Sequence, residues 1–199
     1  MGEMKGKASL EFEHPPVIVS AASVVGKKEG EGPLGPLFDQ VEQDDMCGKD
    51  NWEQAESALQ KQAADKAIEK GGLRKTDLRY LFAGDLLGQL IATSFGTVDL
   101  EIPLFGLYGA CSTMGEALSL GAMAVNAGYA NQVLAMASSH FATAEKEFRF
   151  PLAYGNQRPM SATWTVTGAG CVALAGDRKE GLAKITGITT GRVVDMGRS

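Results

Sequence analysis

A chain of 199 residues is long enough for one substantial core and short for two independent domains. Its formal net charge of −5 excludes nucleic-acid binding through a basic surface and electrostatic docking to anionic lipid. Cys47, Cys111 and Cys171 are odd in number and widely spaced, with only His14 and His140 to help them, so a disulfide framework and a structural zinc site are both disfavoured and a reducing compartment fits.

Residues 1–16 are polar and charged with no apolar stretch, so they read as a tail rather than a secretory signal, and residues 17–199 as the folded unit. Pro16 to Val25 is a β-branched apolar run closed by Gly26, a buried first strand. Lys27 to Asp50, rich in Gly and Pro and then acidic, reads as a long surface loop with a short turn at Leu37 to Val41. Trp52 to Lys70 places Ala55, Leu59, Ala63 and Ala67 on one face before Gly71-Gly72, which predicts a helix. Leu78 to Ala83 reads as a second strand, Leu86 to Phe95 as a glycine-interrupted helix, and Ile102 to Tyr108 as a short, largely buried third strand. A helix from Thr113 to the closing Gly128 follows, then a fourth strand at Gln132 to Ser138 and a fifth at Thr163 to Ala175. Leu182 to Thr190 begins a further strand. Alternating strands and helices give an α/β layered fold with a mostly parallel sheet. From Tyr80 to Ala144 the charged residues are Asp85, Asp99, Glu101 and Glu116, so this middle third is core or subunit interface, too interrupted by polar residues to span a membrane.

Cys111 is the centre of chemical interest, because it sits on the turn that feeds a helix. Free backbone N–H groups and the positive helix end there favour thiolate, and such cysteines titrate at roughly 3.5–7.5 instead of about 8.5. Thr113-x-x-Glu116 has the form of a capping box, which assigns Glu116 a capping carboxylate rather than a catalytic one. The bland alternative for Cys111 is a small buried residue in a tight turn. Gly168 and Gly170 inside a strand mark a close approach by another backbone, with the Cys111 turn as the expected partner. Cys171 reads as buried and inert, Cys47 as exposed in its loop, His140 as a hydrogen-bonded strand-end residue, and Met114, Met123 and Met136 as core filler. Asp44-Asp45 and Asp99-x-Glu101 lack the alternating ligand spacing of a calcium loop, so neither a metal site nor a cofactor is expected.

The Gly109-Ala-Cys-Ser-Thr113 turn, the Thr167-Gly-Ala-Gly-Cys-Val-Ala-Leu174 strand and the order of elements from Val17 to Thr190 resemble the first half of the thiolase-like superfamily, which includes thiolases and β-ketoacyl synthases. Ser138-Ser-His140, Glu145-Lys-Glu-Phe-Arg-Phe-Pro151, Tyr154-Gly-Asn-Gln157 and Ala162-Thr-Trp-Thr-Val-Thr-Gly-Ala-Gly170 resemble, more narrowly, the stage V sporulation protein AD family. That resemblance implies a non-enzymatic sporulation protein that binds calcium-dipicolinate and supports its uptake into the developing spore. It also implies a place at the cytoplasmic side of the spore inner membrane, a membrane-protein complex as partner and a homo-oligomeric complete protein. It implies further that the second half, which in the enzymes carries the acid/base histidine, lies outside this chain. The alternative is an acyl-condensing enzyme with Cys111 as nucleophile. Phe148 to Arg158 puts two guanidinium forks among aromatic rings, chemistry suited to an aromatic dicarboxylate, so Cys111, Ser112, Arg149, Tyr154 and Arg158 are the expected ligand-binding residues. Its bland reading is a solvated surface loop.

Overall fold

A computed structural model describes residues 2–148 and 163–197. In chain order the strands are β1 (Glu3–Lys5), β2 (Ser9–Glu11), β3 (Val17–Val25), β4 (Gln40–Val41), β5 (Tyr80–Asp85), β6 (Leu104–Gly106), β7 (Gln132–Ser139), β8 (Gly168–Ala175), β9 (Ala183–Lys184) and β10 (Gly187–Thr189). The helices are α1 (Lys27–Gly30), α2 (Trp52–Gly71), α3 (Ile91–Thr97), α4 (Thr113–Asn126) and α5 (Phe141–Phe148).

The main sheet has the order β4-β3-β8-β7-β5-β6, with β9 paired on β3. Five of its strands run the same way, while β8 is antiparallel to both β3 and β7, and β9 is antiparallel to β3. Successive residues of a strand face opposite sides, so each strand feeds two cores. Leu81, Ala83, Leu134, Met136, Cys171 and Ala173 pack with α2 on one face. Phe82, Val133, Ala135 and Leu174 pack with α4 on the other.

Helix α2 begins where Asn51 Oδ1 accepts the Gln54 N–H at 2.9 Å, an N-cap of about 1 kcal/mol, and ends at Gly72 with φ +57°. Half of its buried residues are alanine, which brings its axis close to β3 and β8, and Leu59 is fully buried, a contribution of about 1.5–3 kcal/mol. Helix α4 closes on Gly128 at φ +76°, where the Gly128 and Tyr129 N–H groups return to the Val125 and Ala124 carbonyls.

Several expectations are corrected. The N-terminal segment is not a loose tail, because β1, β2 and β10 form a small antiparallel sheet. Phe12 seats it in the α4-side core, two residues after Leu10 on the same alternation. The third strand is an exposed edge of three residues, with Phe105 50 % exposed; the buried residues Ile102 and Leu107 flank it. Helix α3 starts at Ile91 rather than Leu86 because Gln89 and Leu90 adopt φ of +49° and +70°, while the Asp85 carboxylate accepts the Leu90 and Thr93 N–H groups. Residues 163–167 lie outside β8; Thr167 instead bonds through its backbone to Gly26 and the Glu29 carboxylate. None of the described helices is long and apolar enough to cross a membrane.

Candidate functional site

The carboxyl ends of β3, β5 and β7 and the amino end of β8 lie together, the end of an open α/β sheet where crevices form. A cavity of about 370 Å³ opens there, with Ser23, Ser139, Gly168 and Gly170 on the sheet side and Phe38, Leu86, Cys111 and Met114 around them. A methyl on Gly170 would meet nothing within 4 Å, so this residue faces the open space itself. Gly168 is different: a methyl there would sit 2.9 Å from the Val24 carbonyl oxygen. The close approach expected at these glycines therefore comes from β3, and the Cys111 turn stands across the cavity instead.

The Cys111 turn is held from below. Leu107 N–H donates to the Ala83 carbonyl at 2.8 Å, and Gly84 lacks the side chain that would strike the Leu107 carbonyl at 2.1 Å. Ala110 adopts φ +48°, a left-handed conformation that costs a non-glycine residue energy, and it presents Cys111 at the cavity wall, exposed. The capping box does not form. Residues Ala110–Ser112 make a 3-10 turn that runs directly into α4, so Thr113 is already helical at φ −52° and its buried Oγ1 has no hydrogen-bond partner among the described residues. Glu116 lies instead over Gly109, where a methyl would come within 2.5 Å of its Oε2.

Of the residues expected to bind ligand, Cys111 lines the cavity, and the Ser112 hydroxyl turns back to donate to the Gly109 carbonyl at 2.7 Å. Arg149, Tyr154 and Arg158 lie outside the described residues. His140 is fully buried; its Nδ1 accepts the Ala142 N–H at 3.2 Å, which leaves Nε2–H to donate to the Asp45 carbonyl at 2.8 Å. Burial lowers its pKa, and its ring packs in a cluster with Trp52 and Phe141, so it is a neutral structural histidine without a lone pair to offer Cys111. Cys171 is buried and pushed up to about 12. Cys47 is half-buried against the α2-side core rather than exposed, and burial pushes it up to about 11. Met114 lines the cavity, whereas Met136 is core. Among the described residues no cluster of acidic, histidine or cysteine side chains is arranged to hold a metal ion.

Sequence reasoning missed a buried polar network behind the cavity. Ser138 borders the cavity, and its hydroxyl turns toward α2, donating to Glu56 Oε1 at 2.7 Å and accepting from Gln60 Nε2 at 2.6 Å. Thr143 donates to Glu56 Oε2 at 2.9 Å. Gln60 also donates to Thr93 Oγ1, which donates to Asp85 Oδ2 at 2.6 Å. Both carboxyls are fully buried, and the partners just named are hydroxyls and backbone N–H groups. Burial, with the Asp85 charge adding to it, pushes Glu56 up to about 7. The signal was present: Glu56 and Gln60 are four residues apart on the alanine face of α2, at positions that should be apolar.

The family model of Stage V sporulation protein AD matches residues 6–199. The Stage V sporulation protein AD of Bacillus subtilis (strain 168) is 42% identical over 195 residues, covering 98% of this chain and 57% of that protein. The chain thus spans a little over half the length of the curated relative it matches. Among solved structures, the priming β-ketosynthase of the R1128 polyketide pathway superposes with a TM-score of 0.53 at 15% identity, over 88% of this chain and 52% of that one. The 3-oxoacyl-[acyl-carrier-protein] synthase III of Aquifex aeolicus VF5 gives 0.54 at 16%, over 83% and 55%. At these identities the likeness shows the fold, which is thiolase-like.

Proposed function

The chain belongs to the stage V sporulation protein AD family, and on that footing we propose that it binds dipicolinic acid as its calcium chelate and supports its uptake into the developing spore. The observation that carries this reading is the cavity beside Cys111. Its volume of about 370 Å³ suits a small molecule, and the space over Gly170 is open. Apart from Cys111 its lining consists of apolar residues and serines, which suits a chelate whose two carboxylate charges cancel those of calcium. Arg149, Tyr154 and Arg158 complete the proposed site, the guanidinium groups pairing with ligand carboxylates and the ring stacking on the ligand. The proposed setting is the cytoplasmic side of the spore inner membrane, with membrane proteins of the spore as partners and a homo-oligomeric assembly.

An acyl-condensing enzyme is the second reading, and the exposure of Cys111 on the cavity wall is what favours it. Condensation needs a base at the nucleophile, and His140 has both ring nitrogens committed to structural hydrogen bonds. Calorimetric titration of the complete protein with calcium-dipicolinate and, separately, acetyl-coenzyme A tests the two. Binding of the chelate, weakened by about 1–3 kcal/mol in Arg158→Ala, supports the first. Absence of chelate binding, or turnover of the thioester, refutes it.

A further inference from the structure

The cavity wall is one residue thick where Ser138 separates it from two buried carboxyls. Glu56 lies 2.7 Å from the Ser138 hydroxyl, and Asp85 is joined to it through Thr93 and Gln60. We infer that Glu56 makes the site sensitive to ligand charge: a free dicarboxylate binds in the cavity more tightly when Glu56 is protonated and so raises its proton occupancy, whereas a neutral metal chelate binds with no such preference. The inference rests on the reading that this cavity is the ligand site.

Negative charges on the two sides of one strand repel, and a proton on Glu56 relieves that repulsion. The Asp85 carboxylate accepts two backbone N–H groups and the Thr93 hydroxyl. Glu56 accepts two neutral hydroxyls, each of which can reorient to accept from a protonated carboxyl. The proton comes from solvent, adds to a Glu56 oxygen, and leaves when the dianion leaves. The fields around Glu56 act in the same sense. Glu53 on its own helix and Asp85 at the end of β5 both favour the protonated form. Among the other elements packed on α2, α3, β3 and β7 carry no charged side chain, β8 brings the neutral Cys171 thiol, and α5 carries Glu145 along with Lys146 and Glu147. His140, beyond Thr143, is neutral. Glu56 already titrates close to neutrality, so the coupling falls in an accessible pH range.

The test is calorimetric titration of the complete protein with dipicolinate, with and without calcium, in buffers of differing ionisation heat. Dipicolinate is a dianion throughout the range used. Its affinity is expected to fall about three- to tenfold between about pH 6 and pH 8.5, with fractional proton uptake, as a coupling of half to one pK unit requires. The calcium chelate should show neither effect, and Glu56→Gln should abolish both for the free dianion. Ser138→Ala removes a hydrogen bond that favours ionised Glu56, so it should move the midpoint to higher pH; it serves as the second variant if Glu56→Gln does not fold. Equal pH dependence in Glu56→Gln, or binding without proton uptake, overturns the coupling while leaving the ligand site standing. If neither form of the ligand binds, the proposed function fails and the coupling with it.

Discussion

Gly84 leaves room for both ends of the turn that carries Cys111, and Gly84→Ala measures how far the position of Cys111 depends on it. A methyl at Gly84 would lie 2.1 Å from the Leu107 carbonyl oxygen and 2.8 Å from Thr113 Cγ2, where contacts under 3.0 Å essentially never occur. The Leu107 carbonyl would have to retreat by close to 1 Å, and Thr113 by less, so both ends of the turn that carries Cys111 are pushed from the same point. The Leu107 N–H bond to Ala83 at 2.8 Å would be lost in that movement. Overpacking of this kind costs about 1–3 kcal/mol and the hydrogen bond about 0.5–1.5, so a destabilisation of about 2–4 kcal/mol is expected. Denaturant unfolding of the complete protein would read this directly, and a melting scan should show a fall of about 5–15 °C. Gly170→Ala is the matched control: its methyl meets nothing within 4 Å, so stability should stay within about 0.5 kcal/mol while ligand binding suffers. A Gly84→Ala protein as stable as the parent, with an unchanged rate of Cys111 alkylation, would refute the argument that Gly84 fixes the turn.

Three further outcomes follow from the same geometry. Glu56 binds its proton more tightly in the folded protein than at its ordinary value of 4.5, so stability from this group is greatest at low pH and is lost as pH rises from 4.5 through about 7. Unfolding free energies should therefore fall by about 2–3 kcal/mol more in the parent than in Glu56→Gln between pH 5 and pH 8, and parallel curves would dismiss a buried proton. Iodoacetamide should label Cys111 before Cys47 and Cys171, whose thiols are pushed up to about 11 and about 12, and mass spectrometry showing Cys171 labelled first would reverse the assignment of exposure. His140→Gln should destabilise the protein by freeing the Asp45 carbonyl and the rings beside it, yet leave the pH profile of Cys111 alkylation unchanged; a shifted profile would bring His140 into the site.

Periodicity made the interior legible. The β3 run, the alanine face of α2 and the α4 stripe ending at Gly128 each bury a continuous surface, and burial is what apolar spacing reports. Features decided by single hydrogen bonds left weaker traces. Thr113-x-x-Glu116 looks like a capping box, but the 3-10 turn ahead of it carries the helix through the capping position and leaves the Thr113 hydroxyl without a partner among the described residues. The start of α3 depends on Asp85 reaching forward to Thr93, a contact eight residues long that no local window weighs. Of the site, Cys111 and the glycines of β8 were visible as residue types, whereas Glu56 and Gln60 showed only as polar residues on an apolar face, and what they do there is set by partners 82 and 78 residues away in the sequence.

The placement of β8 has a consequence for how the chain reaches this structure. It joins β3 to β7, yet it is synthesised after both, and its register ties Val17 to Ala175. Until residues 168–175 arrive, the pairings open to the main sheet are those of two separate ribbons, β4 with β3 and β7 with β5 and β6, and each would have an open edge where β8 belongs. Pairing across such sequence separation makes folding slow, and open edges invite pairing with other chains. Expression that outpaces this last insertion should therefore yield aggregates in which α2 and α4 are already helical, while the strand that unites the sheet has found its partner in the wrong molecule.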